Sequence, residues 1–160
     1  MKNYFVITII CSSFFAFGQE GEKETSITKN TIYIELGGNG FFYSYNYDRI
    51  VFSKNAIHLG FRVGYSFLPN HDDGETILIP LEEFLLMGKK NNFFELGIGQ
   101  TIIPTEHNHF NKPVIPIFRV GYRLQGLKRG AGFLFRIAAL PTIIDEKLFL
   151  WGGISFGLAF

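Results

Sequence analysis

The sequence predicts an all-β fold, an eight-stranded antiparallel transmembrane β-barrel. Three observations carry that prediction. After the first 30 residues, apolar side chains recur at every second position in run after run, the period of a strand with one apolar face. The composition is 47% hydrophobic and 17% aromatic with Gly 18, yet past the amino-terminal segment no stretch reaches the roughly 18 apolar residues that a spanning helix needs. The runs number eight, and an even count in a short chain is what the smallest membrane barrels require.

The first 18 residues read as a cleavable secretory signal. "MKNYFVITIICSSFFAFGQE" has a cationic start at Lys2, an apolar stretch from Tyr4 to Phe17, and the small-x-small run Ala16-Phe17-Gly18 ahead of Gln19. An exported chain that crosses a membrane with strands is expected in the cell outer membrane. The only cysteine, Cys11, lies inside this signal, and Ile10 before it is bulky where lipidation wants a small residue. The mature chain then has neither thiol nor disulfide. Removing Lys2 takes the formal charge from +1 to zero, which gives no electrostatic case for binding nucleic acid. Residues 19–30, "QEGEKETSITKN", are polar and aperiodic and read as a flexible periplasmic lead-in.

Residues 31–160 form the barrel. Its expected strands are Thr31 to Gly37, Phe41 to Ile50, Ala56 to Phe67, Glu75 to Met87, Asn92 to Ile103, Val114 to Gln125, Ala131 to Leu140 and Leu148 to Phe160. The connections "SKN", "GKKNN" and "GLKRG" are short and basic. Those on the other side, "PNHDDGE", "PTEHNHFNK" and "PTIIDEK", are longer and carry most of the acids and histidines, with the short "GGNG" the exception. Short periplasmic turns and longer outer loops are the barrel rule.

The polar face decides which side faces in. His58, Gly60, Arg62, Gly64 and Ser66 share one face of the third strand, Glu95, Gly97, Gly99 and Thr101 one face of the fifth, and Arg119, Gly121 and Arg123 one face of the sixth. Such a face, glycine-rich and without lysine, fits a crowded interior, since eight strands enclose only enough width for side chains to fill. An arginine turned into lipid at mid-depth costs about 2 to 4 kcal/mol. Buried charges need partners. The strands offer Glu35, Asp48, one of Glu82 or Glu83, and Glu95 against Arg62, Arg119, Arg123 and Arg136, a network that plugs the lumen. The phase of the fourth strand is open at Glu82-Glu83, where a bulge would admit one acid and leave the other near the rim. Tyr43, Tyr45, Tyr47, Tyr65 and Tyr122 fall on the outward face.

The last strand is the most regular. Ile154, Phe156, Leu158 and Phe160 alternate with Gly153, Ser155, Gly157 and Ala159, and this strand must pair with the first to remove both edges. Phe156, Leu158 and the terminal Phe160 also resemble the signal by which the barrel-assembly machinery recognises outer-membrane barrels. Together "IYIELGGNGFFYSYNYDRI", "GFRVGYSFLP", "IPLEEFLLMGKKNNFFELGIGQTII", "FRVGYRLQ" and "WGGISFGLAF" resemble an uncharacterised family of small Gram-negative outer-membrane β-barrel proteins. That resemblance implies fold and location, and brings no activity, ligand or catalytic residue.

Three constellations are candidates for chemistry. His107 and His109, with Glu106 and with His71, Asp72 or Asp73 from another loop, are weak candidates for a metal site, since an HxH pair in a loop is equally well solvated side chains. His58 is the only histidine within an expected strand, and Ser44 and Ser66 are the nearby-strand serines to pair with it in a lipid-modifying enzyme, but filling the lumen explains all three. "GGNG" and "KRGAG" lack the helix and spacing of a phosphate loop. The expectation is a non-enzymatic, monomeric outer-membrane protein with a structural or interaction role and no cofactor. Its expected partners are outer-membrane lipid, the assembly machinery and an unidentified loop partner. A lipid-modifying enzyme, a narrow pore or small-ligand porter, and a secreted barrel with its faces reversed are the alternatives.

Overall fold

A computed structural model describes residues 27–69, 75–104, 113–126, 132–144 and 147–160. Eight strands close into one barrel, each hydrogen-bonded to its neighbours in chain order. They are β1 (Asn30–Gly37), β2 (Tyr43–Lys54), β3 (Ile57–Pro69), β4 (Glu75–Lys89), β5 (Asn92–Ile102), β6 (Val114–Gln125), β7 (Gly132–Ile144) and β8 (Lys147–Ala159). The seam is antiparallel, from Thr31 opposite Ala159 to Gly37 opposite Gly153. It is prolonged by Phe160, whose backbone N and O exchange hydrogen bonds of 2.8 and 3.0 Å with Asn30.

The strands are strongly staggered. The pairing runs from Thr31 through Asp48, Arg62, Glu82, Gly99, Ile117 and Thr142 to Phe149, which lies ten residues along β8 from Ala159, the partner of Thr31 across the seam. Closure with stagger tilts strands by roughly 35–45° to the barrel axis. The tilt brings residues distant in register, such as Asp48 and Arg123, to the same height.

Several boundaries differ from the sequence reading, each for a local reason. β2 starts later, at Tyr43, because residues 38–40 turn into the lumen. It also runs on through "SKN" to Lys54, past a bulge between Ile50 and Phe52, so the turn is Asn55-Ala56. Asn55 and Lys90, the first residues of the two-residue turns after β2 and β4, take φ of 55° and 60°. The supposed long loop "PTIIDEK" is mostly strand: β7 and β8 stay paired up to Ile144 opposite Lys147, leaving only residues 145–146 between them. Lys54, Lys89 and Lys147 consequently sit in terminal strand positions, where a lysine reaches past the end of the sheet.

The faces are inverted relative to a water-soluble barrel. Ile32, Ile34, Leu36, Val63, Leu96, Ile98, Phe118, Val120, Ile137, Ile154, Phe156 and Leu158 are exposed on the outside. Glu35, Asp48, Arg62, Glu82, Glu95, Arg119, Arg123 and Arg136 are all buried inside. The reversed arrangement, with an apolar interior and polar exterior, is therefore excluded for these strands.

The lumen is filled in three decks. Toward the end where β1 begins and β8 finishes, Ile27, Ile50, Phe84, Leu86 and Phe93 form an apolar cluster. Toward the opposite end Leu68, Leu78, Ile103 and Ile115, with Phe41 against them, form a second. The ionic side chains lie between. The end of the lead-in is not loose: Ile50 N donates to Lys29 O at 2.7 Å, and Gln125 Nε2 to Thr28 O at 2.6 Å. These bonds hold residues 27–29 across the lower mouth.

Candidate functional site in the lumen

The ionic layer occupies mid-strand positions on seven of the strands and contains four arginines and four acids. Arg62 donates to Glu82 and Glu95 at 2.7 Å each and to Asp48 at 3.4 Å. Arg119 grips Glu35 with both terminal nitrogens, at 2.7 and 3.2 Å, while its Nε reaches Glu82 at 2.9 Å. Arg123 holds Asp48 in the same two-pronged way, at 2.9 and 3.1 Å. Arg136 bridges Glu35 at 3.3 Å and Glu95 at 3.4 Å and donates to Ser155 at 2.8 Å. Every one of these side chains has zero exposure, and formal charges cancel within the layer. The bidentate contacts need planar guanidinium, which lysine lacks.

Neutral groups complete the layer. Thr31 donates to Asp48, and Asn39 donates to Glu82. The flat faces of the arginines rest on two rings: Arg136 lies 4.5 Å from the centroid of Tyr33, and Arg62 and Arg123 lie 5.2 and 5.4 Å from that of Phe84. Cation–π contact of this kind is strongest where water is excluded. Glycine supplies the room: a Cβ at Gly97 would overlap the Glu82 carboxylate, and one at Gly38 the Glu35 carboxylate.

Glu35, Asp48, Arg62, Glu95, Arg119, Arg123 and Arg136, which the sequence set on the polar face, meet in this layer, and of the Glu82–Glu83 pair left open there it is Glu82 that joins them. Glu82 is buried in the network, whereas Glu83 points outward, half-buried. No bulge separates them, because β4 keeps one register against both β3 and β5, and the bulge falls in β2 instead.

Asn39 was missed. "GGNG" reads as a plain hairpin turn, yet Gly37 and Gly38 take φ of 73° and 68° and fold a short 3-10 turn, Gly38–Gly40, down into the barrel. Thr101 Oγ1 and Ser66 Oγ donate to its Asn39 and Gly40 carbonyls at 3.1 and 3.2 Å. Trp151 Nε1 donates to Phe41 O at 3.2 Å over the top. The available signal was length: in the sequence this reads as the one short connection on the long-loop side, and two successive glycines permit the inward turn.

The remaining chemical candidates are kept apart. His58 lies near the lower mouth with Nδ1 3.0 Å from Ser53 Oγ and its ring edge-on to Phe93. Ser66 bonds the inward turn, and Ser44 accepts from Asn46 Nδ2 at 2.8 Å, both higher in the lumen. Neither expected serine partners His58, and the one that does was not anticipated because the β2 bulge flips the strand's phase. His71, Asp72, Asp73, Glu106, His107 and His109 lie outside the described residues, as do residues 1–26.

On the outside, Tyr43, Tyr45, Tyr47, Tyr65 and Tyr122 all point outward as expected, and Tyr47 and Tyr122 bond Asn30 and Asn92 near the turns at 2.8 Å. Two charges interrupt the apolar surface: Arg49 is exposed on β2, and Glu83 faces out from β4.

No family model, curated protein or solved structure matches the chain. Function is therefore read from geometry: a buried, charge-balanced interior and an apolar exterior.

Proposed function

We propose that this chain is an integral outer-membrane β-barrel, exported by a cleavable signal, with a structural or interaction role rather than a channel or enzymatic one. The observation that carries the reading is the inverted barrel, with charges cancelled inside and apolar side chains exposed on all eight strands. A monomer in water rarely shows an apolar patch beyond a few hundred Å². A lipid-facing barrel requires a continuous apolar band about 25 Å tall. The three-deck lumen argues against conduction: an ion would have to cross two apolar clusters and a network whose charges already satisfy one another. What remains to act is the loop side, the exterior surface and the inward turn that caps the lumen. Lipid and the assembly machinery are its partners in this reading, with Phe156, Leu158 and Phe160 as the recognition strand.

The test is fractionation of cells that express the full chain, followed by gels of unheated and heated samples. The reading expects the protein in the outer-membrane fraction, with a mobility change on heating. A chain that stays in the aqueous extract would contradict it.

A further inference from the structure

We propose that the upper edge of β8, residues 147–152, is a docking site for an extended segment of another polypeptide, which adds as a strand antiparallel to β8 in the place that β1 leaves vacant. The inference rests on the membrane reading and gives its loop-side interaction a site and a partner chemistry.

The barrel wall is uneven in height. β1 pairs with β8 only as far as Gly37 opposite Gly153, because residues 38–40 then turn into the lumen. β7 and β8 stay paired well beyond that level, to Ile144 opposite Lys147. Residues 147–152 therefore have β7 on one side and, among the described residues, no strand on the other. The seam shows which way their backbone groups point. Asn30 and Phe160 exchange two backbone hydrogen bonds, and the period of an antiparallel ladder turns the N–H and C=O of every second β8 residue to that same side. With no register break along β8, Leu150 and Leu148 aim theirs into the vacant place. Trp151 and Phe149 aim theirs at β7, opposite Leu140 and Thr142.

These groups select a strand over lipid. Open sheet edges are not tolerated in hydrocarbon, so in the membrane reading this stretch stands at or above the outer headgroups. Leu148 and Leu150 are 73% and 76% exposed, more than any other large apolar side chain among the described residues. Phe42, 70% exposed, stands at the foot of the vacant place, where the β1–β2 connection closes. An unpaired edge flanked by exposed apolar side chains is a template for strand addition. The added strand continues the β1–β8 ladder upward: its main chain bonds Leu148 and Leu150, and its apolar side chains at alternate positions cover theirs.

Symmetry excludes a second copy in the same membrane as the source of that strand. Two copies in one bilayer are exchanged by an axis along its normal. Pairing two β8 edges antiparallel needs an axis across the sheet, in the membrane plane, which turns one copy upside down.

The test uses the folded full chain in detergent micelles and a short synthetic peptide of alternating valine and threonine that carries a fluorophore. Its anisotropy should rise to saturation as protein is added. When valine covers Leu148 and Leu150, the valine N–H groups face β8. N-methylating the valines should therefore weaken binding at least about tenfold, and N-methylating the threonines by less than about twofold. Leu150→Pro removes one edge donor and spares the β7 ladder, and should weaken binding about fivefold while the mobility change on heating persists. A spin label at Leu148→Cys in vesicles should respond to a water-soluble nickel complex. Absence of saturable binding, equal loss from both methylated peptides, or undiminished binding to Leu150→Pro overturns the proposal. So does a Leu148→Cys label reached by oxygen and not by nickel, which makes lipid the occupant. All four outcomes leave a heat-modifiable barrel in place, whereas a chain without heat-dependent mobility overturns the membrane reading and the docking site with it.

Discussion

Replacing Arg123 with methionine removes one cation from a neutral, buried layer and leaves the Asp48 carboxylate without its two-pronged partner at 2.9 and 3.1 Å. The nearest other cations, Arg62 at 3.4 Å and Arg136 at 4.0 Å, are shared with Glu82, Glu95 and Glu35 and cannot close on Asp48 without abandoning them. Stranding a buried charge in this way costs about 3 to 5 kcal/mol. At a urea dependence near 2 kcal/mol per molar, the unfolding midpoint of the reconstituted barrel should fall by roughly 2 M. The double variant Asp48→Asn with Arg123→Met removes both charges and should recover most of that loss, because a neutral pair in the same volume carries no stranded ion. Midpoints read from the mobility difference between folded and unfolded protein on unheated gels would measure both. A single variant within about 0.3 M of the parent, or a double variant that loses as much as the sum of its parts, would refute the idea that the layer acts as one balanced unit.

Other expectations follow from the same layer and from the seam. Gly97→Val places a side chain against the Glu82 carboxylate and the Arg119 Cβ, and should cost about 1 to 3 kcal/mol in the same unfolding assay; a neutral result would show that the lumen has slack. Deleting Phe160 removes two backbone hydrogen bonds to Asn30 and should lower refolded stability by about 1 to 3 kcal/mol. In cells the same deletion should abolish membrane insertion, a larger effect than stability explains if the terminal residue is also read by the assembly machinery. Planar bilayers holding the parent protein should show no conductance steps, and Arg119→Gln should not create them, because apolar decks lie on both sides of the layer; steady single-channel currents would contradict a sealed lumen.

Period-two patterning made the strands and faces legible because six of the eight arginines and acids of the layer, all but Asp48 and Glu82, stand between apolar side chains in mid-strand, where a slip of one residue would reverse every face. The Glu82-Glu83 pair was ambiguous because two consecutive acids satisfy either phase, and only the buried partners Arg62 and Arg119 distinguish them. The register break at Val51 was invisible since "IVFSK" alternates acceptably in both phases, and it hid Ser53 as the neighbour of His58. The inward turn with Asn39 and the docking of residues 27–29 depend on contacts between segments far apart in sequence, which local pattern does not encode. "PTIIDEK" reads as a loop because it opens on proline and threonine, yet Pro141 and Thr142 pair with Leu150 and Phe149 near the end of the sheet.

The central claim is that the apolar exterior meets lipid and the ionic face does not. Spin labels attached at Ile34→Cys on β1 and Val120→Cys on β6, both outward, and at Ala138→Cys on β7, inward, would test it in reconstituted vesicles. The account predicts that molecular oxygen relaxes the two outward labels strongly while a water-soluble nickel complex does not, and that the inward label is shielded from both. Outward labels that respond to the nickel complex would place this surface in water and contradict the account.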